Sequence, residues 1–560
     1  MKRTLYTIFL LTIISFYLSS NLGAFINAKS FAKNDVIVLF TDRTLYISGE
    51  SIQFGAHVSN EAGDISKILY AELIDPLGNR INSGKYIIEE KKSFGNLLIP
   101  NDILSGTYYI KSYTRWMRNF SVEEYFFLPI KIINPYRNEV LSVGITSGNG
   151  NRAEVEGYEE LSAKVFVISN DSEYAKRKPV SFSIDLKSID QSLQWACISI
   201  APYSTFSGNK FIKPITFNGL NNSAFYLPET KGFILSGKVE NSEDKTPMLF
   251  TLVNISILGK HSDFIATRTD SSGNFSIQLP TIYGSSELYI GIENKGNVKV
   301  KIDSDYCTRN INLPLLPFEL SENERDVSTK LVRNIDVENV FSEGLKKSYQ
   351  LDTLKKPNGI TFYGTPENTF YFDKYVNLLS IEEYFFELIP NVSIRQQQRQ
   401  RFFKIHGNYA ELSIFKPLVL LDMIAIHDTD KLLSIQPTLL HKIEIVAKPY
   451  YKGDLIYGGI ISFFSKKGDI AGIDLPPSDM FLELDFLSSS IDRTNNLENF
   501  SENLPDTRNS ILWVDNLDIS SSRLAIDFQT PDTPGDYIIV FRGLTQTGEV
   551  IYSTKTITIN

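Results

Sequence analysis

Short segments of alternating apolar and polar residues, each ended by a turn signal, restrict the fold of this chain more than any other feature. Residues 36–40 are a short apolar run, and residues 52–58 alternate after the turn at Ser48-Gly49-Glu50. A further run ends in the turn at residues 75–78, and a long alternating run follows Ser105-Gly106. Short strands at regular turn spacing predict a β-sandwich.

One stretch, residues 417–468, departs from this pattern. Residues 418–421 predict a buried strand, and Thr429 is predicted to cap a short helix after it. Residues 443–447 predict a one-sided strand, and the glycine turn at residues 457–459 leads into a third strand. Strand, helix, strand, turn and strand together predict a small α/β unit.

The predicted fold class is therefore mainly β, with tandem Ig-like β-sandwiches and one small α/β domain. At 560 residues the chain is too long for a single core. The expected layout is a signal peptide at 1–32, sandwiches at 33–135, 136–228 and 229–312, a connector at 313–360, the α/β domain at 361–472, and a linker with a last sandwich at 473–560.

Three families share motifs with these segments. The stretches DRTLYISGESIQF and LSGTYYIKSYT resemble the macroglobulin-type domain of alpha-macroglobulins and of bacterial envelope proteins, and the last sandwich resembles the same module. The stretches TPMLFTLVNISI and TDSSGNFSI resemble the carboxypeptidase-regulatory-like sandwich, and the turn at residues 270–275 is predicted to join two strands as a hairpin.

The α/β unit resembles the plug domain of TonB-dependent outer-membrane receptors. LVLLD, IQPTLLHKIEIV and YGGIISFFSKKG carry the resemblance in this order. Ser380 and Glu383, at capping-box spacing, add an upstream helix, and residues 391–395 add a strand. A receptor plug sits inside a membrane barrel, and about ninety residues after the unit are too few for one. Transport is therefore not expected, and a generic α/β domain is the alternative.

The N-terminus predicts export. Lys2 and Arg3 precede the apolar run 5–18, which is typical of a secretory signal, so the mature chain is expected to start between Phe25 and Lys33. An uncleaved anchor helix is the alternative, for which the run is short. The chain is expected to be periplasmic or associated with the outer membrane, and held peripherally. The net charge of −9 does not favour nucleic acid as a partner.

The motifs of common catalytic and metal sites are missing. The five histidines include no pair at zinc-helix spacing, and neither Cys197 nor Cys307 begins a thioester motif. These two cysteines can pair in an oxidising compartment, or remain buried thiols. His427 and Asp428 can hold a metal ion, although a turn and helix cap is the simpler interpretation. We therefore expect no cofactor and no hydrolase activity.

Three tyrosines are the candidate partner-binding residues. Tyr450, Tyr451 and Tyr457 flank glycine turns, where large rings are poorly covered. Packing of these rings against a neighbouring sandwich is the alternative. Two basic clusters are also present, at residues 115–120 and at residues 395–404. For the first cluster we favour a structural corner, with a cation–π stack as the alternative. For the second we favour a solvated turn, with contacts to acidic groups as the alternative.

Together these features predict a non-enzymatic, exported binding or scaffold protein of a Gram-negative envelope. The plug resemblance implies docking to an outer-membrane receptor, barrel or assembly complex. A surface adhesin that binds glycan or protein ligands through sandwich loops is one alternative. An exported hydrolase with an unrecognised site is the other.

Overall fold

The computed structural model describes most of the chain, as two compact units. The described residues are 34–60, 63, 65–141, 160–162, 172–189, 191–206, 225–293, 297–309, 311, 313–314, 316–342, 361–397, 400–453, 455–489 and 505–560. Unit 1 contains residues 1–231, 308–349 and 490–560, and unit 2 contains residues 232–307 and 350–489. The predicted signal segment lies outside the described residues. The described chain is mainly β, as the sequence predicted.

The first β-sandwich of unit 1 packs a three-stranded sheet, β1-β3-β6, on a five-stranded sheet, β2-β8-β7-β4-β5. We call it the N-terminal sandwich. Inside it, the Lys111 ammonium lies 2.8 Å from the Glu72 carboxylate, and both side chains are buried. Its strands are β1 (Val36–Thr41), β2 (Leu45–Ile47), β3 (Ser51–Ser59), β4 (Ile68–Ile74), β5 (Arg80–Ile87), β6 (Lys92–Leu98), β7 (Gly106–Thr114) and β8 (Phe126–Ile133).

The next described segments contribute four strands to unit 1 and six strands to unit 2. In unit 1 they are β9 (Glu160–Ser162), β10 (Glu173–Tyr174), β11 (Pro179–Asp185) and β12 (Leu193–Pro202). In unit 2 they are β13 (Ile234–Asn241), β14 (Leu252–Ile257), β15 (Asp263–Arg268), β16 (Asn274–Gln278), β17 (Ser285–Ile292) and β18 (Val298–Ile302).

The predicted connector contains a long helix, α1 (Glu322–Ser342). It begins with a capping box, because Ser321 Oγ accepts from the Glu324 N–H and the Glu324 carboxylate accepts from the Ser321 N–H. Leu331 of this helix packs against Leu45 and Ile47 of the N-terminal sandwich. The connector predicted at residues 313–360 is therefore helical over much of its described part, and residues 343–360 lie outside the described chain.

The α/β domain has a five-stranded sheet in the order β19-β24-β27-β22-β23. Strands β22 and β27 are parallel, and β24 is antiparallel to β27. The elements are β19 (Asn368–Tyr371), α2 (Ile381–Leu388), β20 (Val392–Gln397), β21 (Gln400–Ile405), α3 (Ala410–Ile414), β22 (Leu418–Leu421), β23 (Ile424–Ala425), α4 (Thr429–Leu433), β24 (Leu440–Val446), β25 (Tyr450–Lys452), β26 (Leu455–Tyr457) and β27 (Ile460–Ser465).

Local signals predicted two of the three described helices of the α/β domain, one of them with a shifted cap, and did not predict α3. Ser380 Oγ accepts from the Glu383 N–H at 3.3 Å, so the predicted Ser380 cap of α2 is confirmed. The Glu383 carboxylate accepts from the Leu379 N–H instead of the Ser380 N–H, so the reciprocal half of the capping box is displaced by one residue. Helix α4 is capped by Asp428 rather than by Thr429, which is its first helical residue. An aspartate carboxylate one residue earlier accepts two backbone N–H groups, which makes it the better cap.

The last strands of the chain return to sandwiches that begin much earlier. They are β28 (Met480–Asp485), β29 (Leu512–Val514), β30 (Arg523–Gln529), β31 (Gly535–Thr545) and β32 (Val550–Ile559). Strand β28 pairs with β17, so it completes a sandwich of two sheets, β16-β13-β18 and β15-β14-β17-β28, which we call the middle sandwich. The sequence analysis had assigned residues 480–485 to a linker.

The predicted separate sandwiches at 136–228 and 473–560 are one domain, which we call the composite sandwich. Strand β11 pairs with β30 along its whole length, and β12 pairs with both β31 and β29. Val180, Ile198, Phe528 and Phe541 share one hydrophobic core. The two segments form one domain because neither segment alone carries enough strands to cover its apolar face.

The turn at residues 270–275 does not form the hairpin that the sequence predicted. It forms as expected, with the Asp270 carboxylate accepting from two backbone N–H groups and Gly273 at φ 76°. However, β15 and β16 belong to different sheets of the middle sandwich. The turn is therefore a connection between sheets and not a hairpin.

Candidate functional site

Strands β25 and β26 form a small antiparallel hairpin that contains all three candidate tyrosines. Tyr450 stands opposite Tyr457, Tyr451 opposite Ile456, and Lys452 opposite Leu455. Successive side chains of a strand point to opposite faces, so the first and third pairs share one face and the middle pair occupies the other. The register therefore divides the three tyrosines between two surfaces.

The inner face of the hairpin packs inside unit 2, against the middle sandwich. The rings of Tyr450 and Tyr457 have centroids 6.3 Å apart, and Tyr457 meets Phe264 edge to face at 6.0 Å. Lys452 Nζ lies 3.0 Å from the Asp263 carboxylate. Burial raises the pKa of the Tyr450 hydroxyl above its usual value. Tyr450 and Tyr457 thus show the internal packing that the sequence analysis gave as the alternative.

The outer face of the hairpin is open to solvent. Tyr451 is 58% exposed and Ile456 is 36% exposed. Helix α3 packs beside β26 and adds Ile414, which is 70% exposed, and Tyr409, which is 46% exposed and precedes the helix. We call the outer side chains Tyr409, Glu411, Ile414, Tyr451 and Ile456 the hairpin face.

A hydrogen bond links the part of the hairpin face on β25 to the part on α3. The Tyr451 hydroxyl donates to the Glu411 carboxylate at 3.4 Å. Partial desolvation, together with this carboxylate, raises the pKa of the Tyr451 hydroxyl. The ring is therefore presented with its polar tip engaged and its apolar faces free for a partner.

Two glycines fix the hairpin against α3. A Cβ at Gly458 would collide with the carbonyl oxygen of Phe415, just after α3. The Gly458 N–H donates to the Lys416 carbonyl at 2.9 Å. Gly459 has φ 89°, and a Cβ there would lie 2.5 Å from the Val446 carbonyl oxygen. The predicted glycine turn is confirmed, and it makes the hairpin face a fixed platform.

Three lysines of the α/β domain lie near α3 or near the residues that flank it, and contacts within the domain hold them. Lys448 Nζ lies 2.8 Å from the Glu367 carboxylate. Lys404 Nζ donates to the Ser413 carbonyl at 3.3 Å, and Lys416 Nζ lies 5.7 Å from the centroid of the Phe402 ring. An apolar centre with a charged rim is the usual composition of a protein-binding surface.

The sequence analysis missed Tyr409, Ile414 and Ile456. The sequence contained one usable signal. Side chains alternate between the two faces of a strand, so in strands on either side of Gly453 residue 451 lies on the face opposite residues 450 and 457. More broadly, the α/β domain holds many of the exposed large apolar side chains of the described chain. They are Tyr375, Val376, Leu379, Phe386, Tyr409, Ile414, Leu439, Tyr451 and Ile456.

The other candidate residues have structural roles. Asp428 is the cap of α4, and His427 Nε2 lies 2.5 Å from the Asn254 amide nitrogen. The described residues include no group of three or more His, Cys, Asp or Glu side chains placed to hold a metal ion. Cys197 and Cys307 are both buried, reduced thiols. Burial raises the pKa of the Cys197 thiol to about 12.

The two basic clusters also make internal contacts. Arg401 pairs with Glu382 and Asp430 within the α/β domain, so the solvated turn is wrong for this residue and the alternative, contacts to acidic groups, is present. Arg399 lies outside the described residues. In the N-terminal sandwich, the guanidinium of Arg118 lies 3.9 Å from the centroid of the Tyr226 ring. The cation–π stack, which was the alternative interpretation of residues 115–120, is therefore present.

Comparisons with known proteins leave the family open. No protein-family model and no curated protein matches the chain. Salmonella alpha-2-macroglobulin reacted with methylamine aligns over 94% of this chain and 40% of its own, with 8% identity and a TM-score of 0.23. The native conformation of Escherichia coli alpha-2-macroglobulin aligns over the same shares, with 7% identity and a TM-score of 0.23.

A further alignment is with the dimeric latent PorU of Porphyromonas gingivalis, over 48% of this chain and 33% of that one, with 11% identity and a TM-score of 0.15. The chain therefore spans about two fifths of the length of the macroglobulin structures. TM-scores this low assign no family. Separately, no helix in the described ranges is long and apolar enough to cross a bilayer.

Proposed function

We propose that this chain is a non-enzymatic, exported binding and scaffold protein of a Gram-negative envelope. It docks to a protein complex of the outer membrane through the hairpin face of its α/β domain. The observation that carries the proposal is the outward pair Tyr451 and Ile456, held on a hairpin whose other face is anchored by Tyr450 and Tyr457.

The hairpin face is preorganised for binding. A partner gains most from aromatic side chains that need no ordering when they bind, because each immobilised side chain costs about 0.5–1.5 kcal/mol. The ring of Tyr451 stands on a hairpin whose register and inner contacts are already fixed, and its hydroxyl is engaged by Glu411. Tyrosine in such a setting is a frequent centre of binding energy.

The envelope assignment rests on the sequence. The N-terminal run after Lys2 and Arg3 is typical of an exported chain. The order of a macroglobulin-type segment, a carboxypeptidase-regulatory-like segment and a plug-like segment resembles that of envelope proteins. A plug-like domain is built to lie against other protein, so in this chain it is a docking domain and not a gate.

The test is recovery of partners from native envelopes after crosslinking, followed by mass spectrometry. Tyr451→Ala combined with Ile414→Ala removes two exposed side chains and should lower recovery of an outer-membrane protein at least tenfold. Tyr375→Ala combined with Val376→Ala is the matched control, since it removes exposed side chains elsewhere on the same domain. Equal recovery by both double variants would show that the hairpin face is not the docking surface.

A further inference from the structure

A second surface feature of unit 2 is a cleft between the middle sandwich and the α/β domain. Its volume is about 490 Å³, and it opens to solvent. Ligand sites in proteins are typically clefts of about 300–1,000 Å³, and they occur preferentially where two domains meet. None of the residues that line it belongs to the hairpin face, so the cleft calls for an explanation of its own.

Two turns with unusual backbone conformations form one side of the cleft. Asp422 and Met423 have φ of 49° and 71°, and Ile470 and Ala471 have φ of 53° and 50°. The Asp422 carboxylate holds the two turns together, since it accepts from Ser465 Oγ at 2.6 Å and from the Ile470 N–H at 2.8 Å. Glycine is the residue that favours the second position of such a two-residue turn, yet methionine occupies it.

The walls of the cleft are apolar and aromatic. Met423, Phe464, Leu258 and Phe481 line it, and the ring of Phe481 is half exposed. The turn at Asp422 and Met423 thus places the Met423 thioether in the wall of the cleft. Methionine adapts its shape to bound groups more readily than branched side chains do. Aromatic faces in a cleft attract cations and aliphatic chains.

The charge at the cleft is negative. Glu287 and Asp469 are exposed at its lining, and neither forms an ion pair with a residue that the structure describes. No lysine or arginine among the described residues lines the cleft. The Lys442 ammonium lies 4.4 Å from the centroid of the Phe464 ring. The Glu444 carboxylate lies 2.5 Å from the same ammonium and neutralises its charge.

We infer that this cleft binds an alkylammonium or guanidinium group, with its aliphatic stem against Phe464 and Phe481 and its cationic head beside Glu287 and Asp469. This cationic group belongs either to a lysine or arginine side chain of a polypeptide or to a free organic amine, because both carry the same chemistry. The inference is independent of the hairpin face and adds a small-group binding site to the proposed docking function.

The methyl group of Met423 provides the readout. In the full mature chain labelled with ¹³C-methyl methionine, the Met423 signal is assigned from a Met423→Leu variant. Addition of N-acetyl-lysinamide should shift this signal in a saturable way, while the Met117 signal from the other unit stays fixed. N-acetyl-norleucinamide, which keeps the stem and lacks the charge, should bind at least fivefold more weakly.

Variants and a peptide complete the test. Glu287→Gln combined with Asp469→Asn should weaken binding of N-acetyl-lysinamide at least fivefold, whereas Glu243→Gln, on another part of the middle sandwich, should leave it unchanged. A blocked Gly-Lys-Gly peptide that binds more tightly than the amide assigns the site to a polypeptide, and equal affinity assigns it to the amine group itself. The absence of a shift, equal binding of the neutral probe, or full binding by the double variant each overturns the inference.

Discussion

The composite sandwich makes a strong prediction, because two segments far apart in the chain must pair residue by residue. Ser181 stands opposite Asp527 on the exposed side of strands β11 and β30. Opposite residues in an antiparallel pair have Cα atoms about 4.5–5.5 Å apart, which suits a disulfide. We expect Ser181→Cys combined with Asp527→Cys to form a disulfide under mild oxidation without loss of fold.

The expected gain in the free energy of unfolding follows from the length of chain that the disulfide would close, which is about 350 residues. The loss of entropy in the unfolded chain sets a ceiling of about 6 kcal/mol, and engineered disulfides usually give about 2–4 kcal/mol. The assay is urea unfolding followed by tryptophan emission, since Trp195 and Trp513 both lie on strands of this sandwich. The oxidised protein should unfold at higher urea than the reduced one.

A matched control tests the register. Ser181→Cys combined with Arg523→Cys displaces the second thiol by four residues, or about 14 Å, and should not crosslink. The native thiols should not interfere, because Cys197 is buried and its pKa is raised to about 12. Crosslinking of the displaced pair, or none of the matched pair, would refute the composite sandwich and restore two separate domains.

Three further changes have expected effects on stability, each measured by urea unfolding. Lys111→Met leaves the buried Glu72 carboxylate without its cation and should cost about 3–5 kcal/mol, whereas Lys111→Met with Glu72→Leu should recover much of that loss. Gly458→Ala forces a Cβ into a carbonyl oxygen and should destabilise unit 2 by about 1–3 kcal/mol. The Arg177 hydrogen bonds lower the pKa of Asp532, so Asp532→Asn should cost about 1 kcal/mol at pH 7, and this cost should vanish as the pH falls through the depressed pKa.

Local chemistry explains which features of the fold the sequence predicted well. The turn at residues 75–78 forms because the Asp75 carboxylate accepts from the Leu77 and Asn79 N–H groups, and Gly78 takes φ 86°. The Ser380 cap of α2 is equally local. Such contacts involve residues within a few positions of each other, so the sequence alone reports them.

Long-range pairing explains what the sequence could not predict. An alternating segment such as residues 179–185 shows that it is a strand, but its pattern does not identify the partner strand. Here the partner is residues 523–529, and the nearer strands belong to other sheets. The candidate site has the same limit. The period of two separates Tyr451 from Tyr450 and Tyr457, but which of the two faces is buried depends on contacts with the distant residues Asp263 and Phe264.

The central claim is that the hairpin face contacts a partner in the envelope. Its most direct test is a photo-crosslinking amino acid placed at position 451 in the full chain, with exposed position 203 of unit 1 and inward position 457 as controls. We predict that irradiation of intact cells joins position 451 to one outer-membrane protein, while position 203 gives no such product and position 457 reacts only within the chain. If position 451 gives no product between proteins, or the same products as position 203, the docking function is wrong.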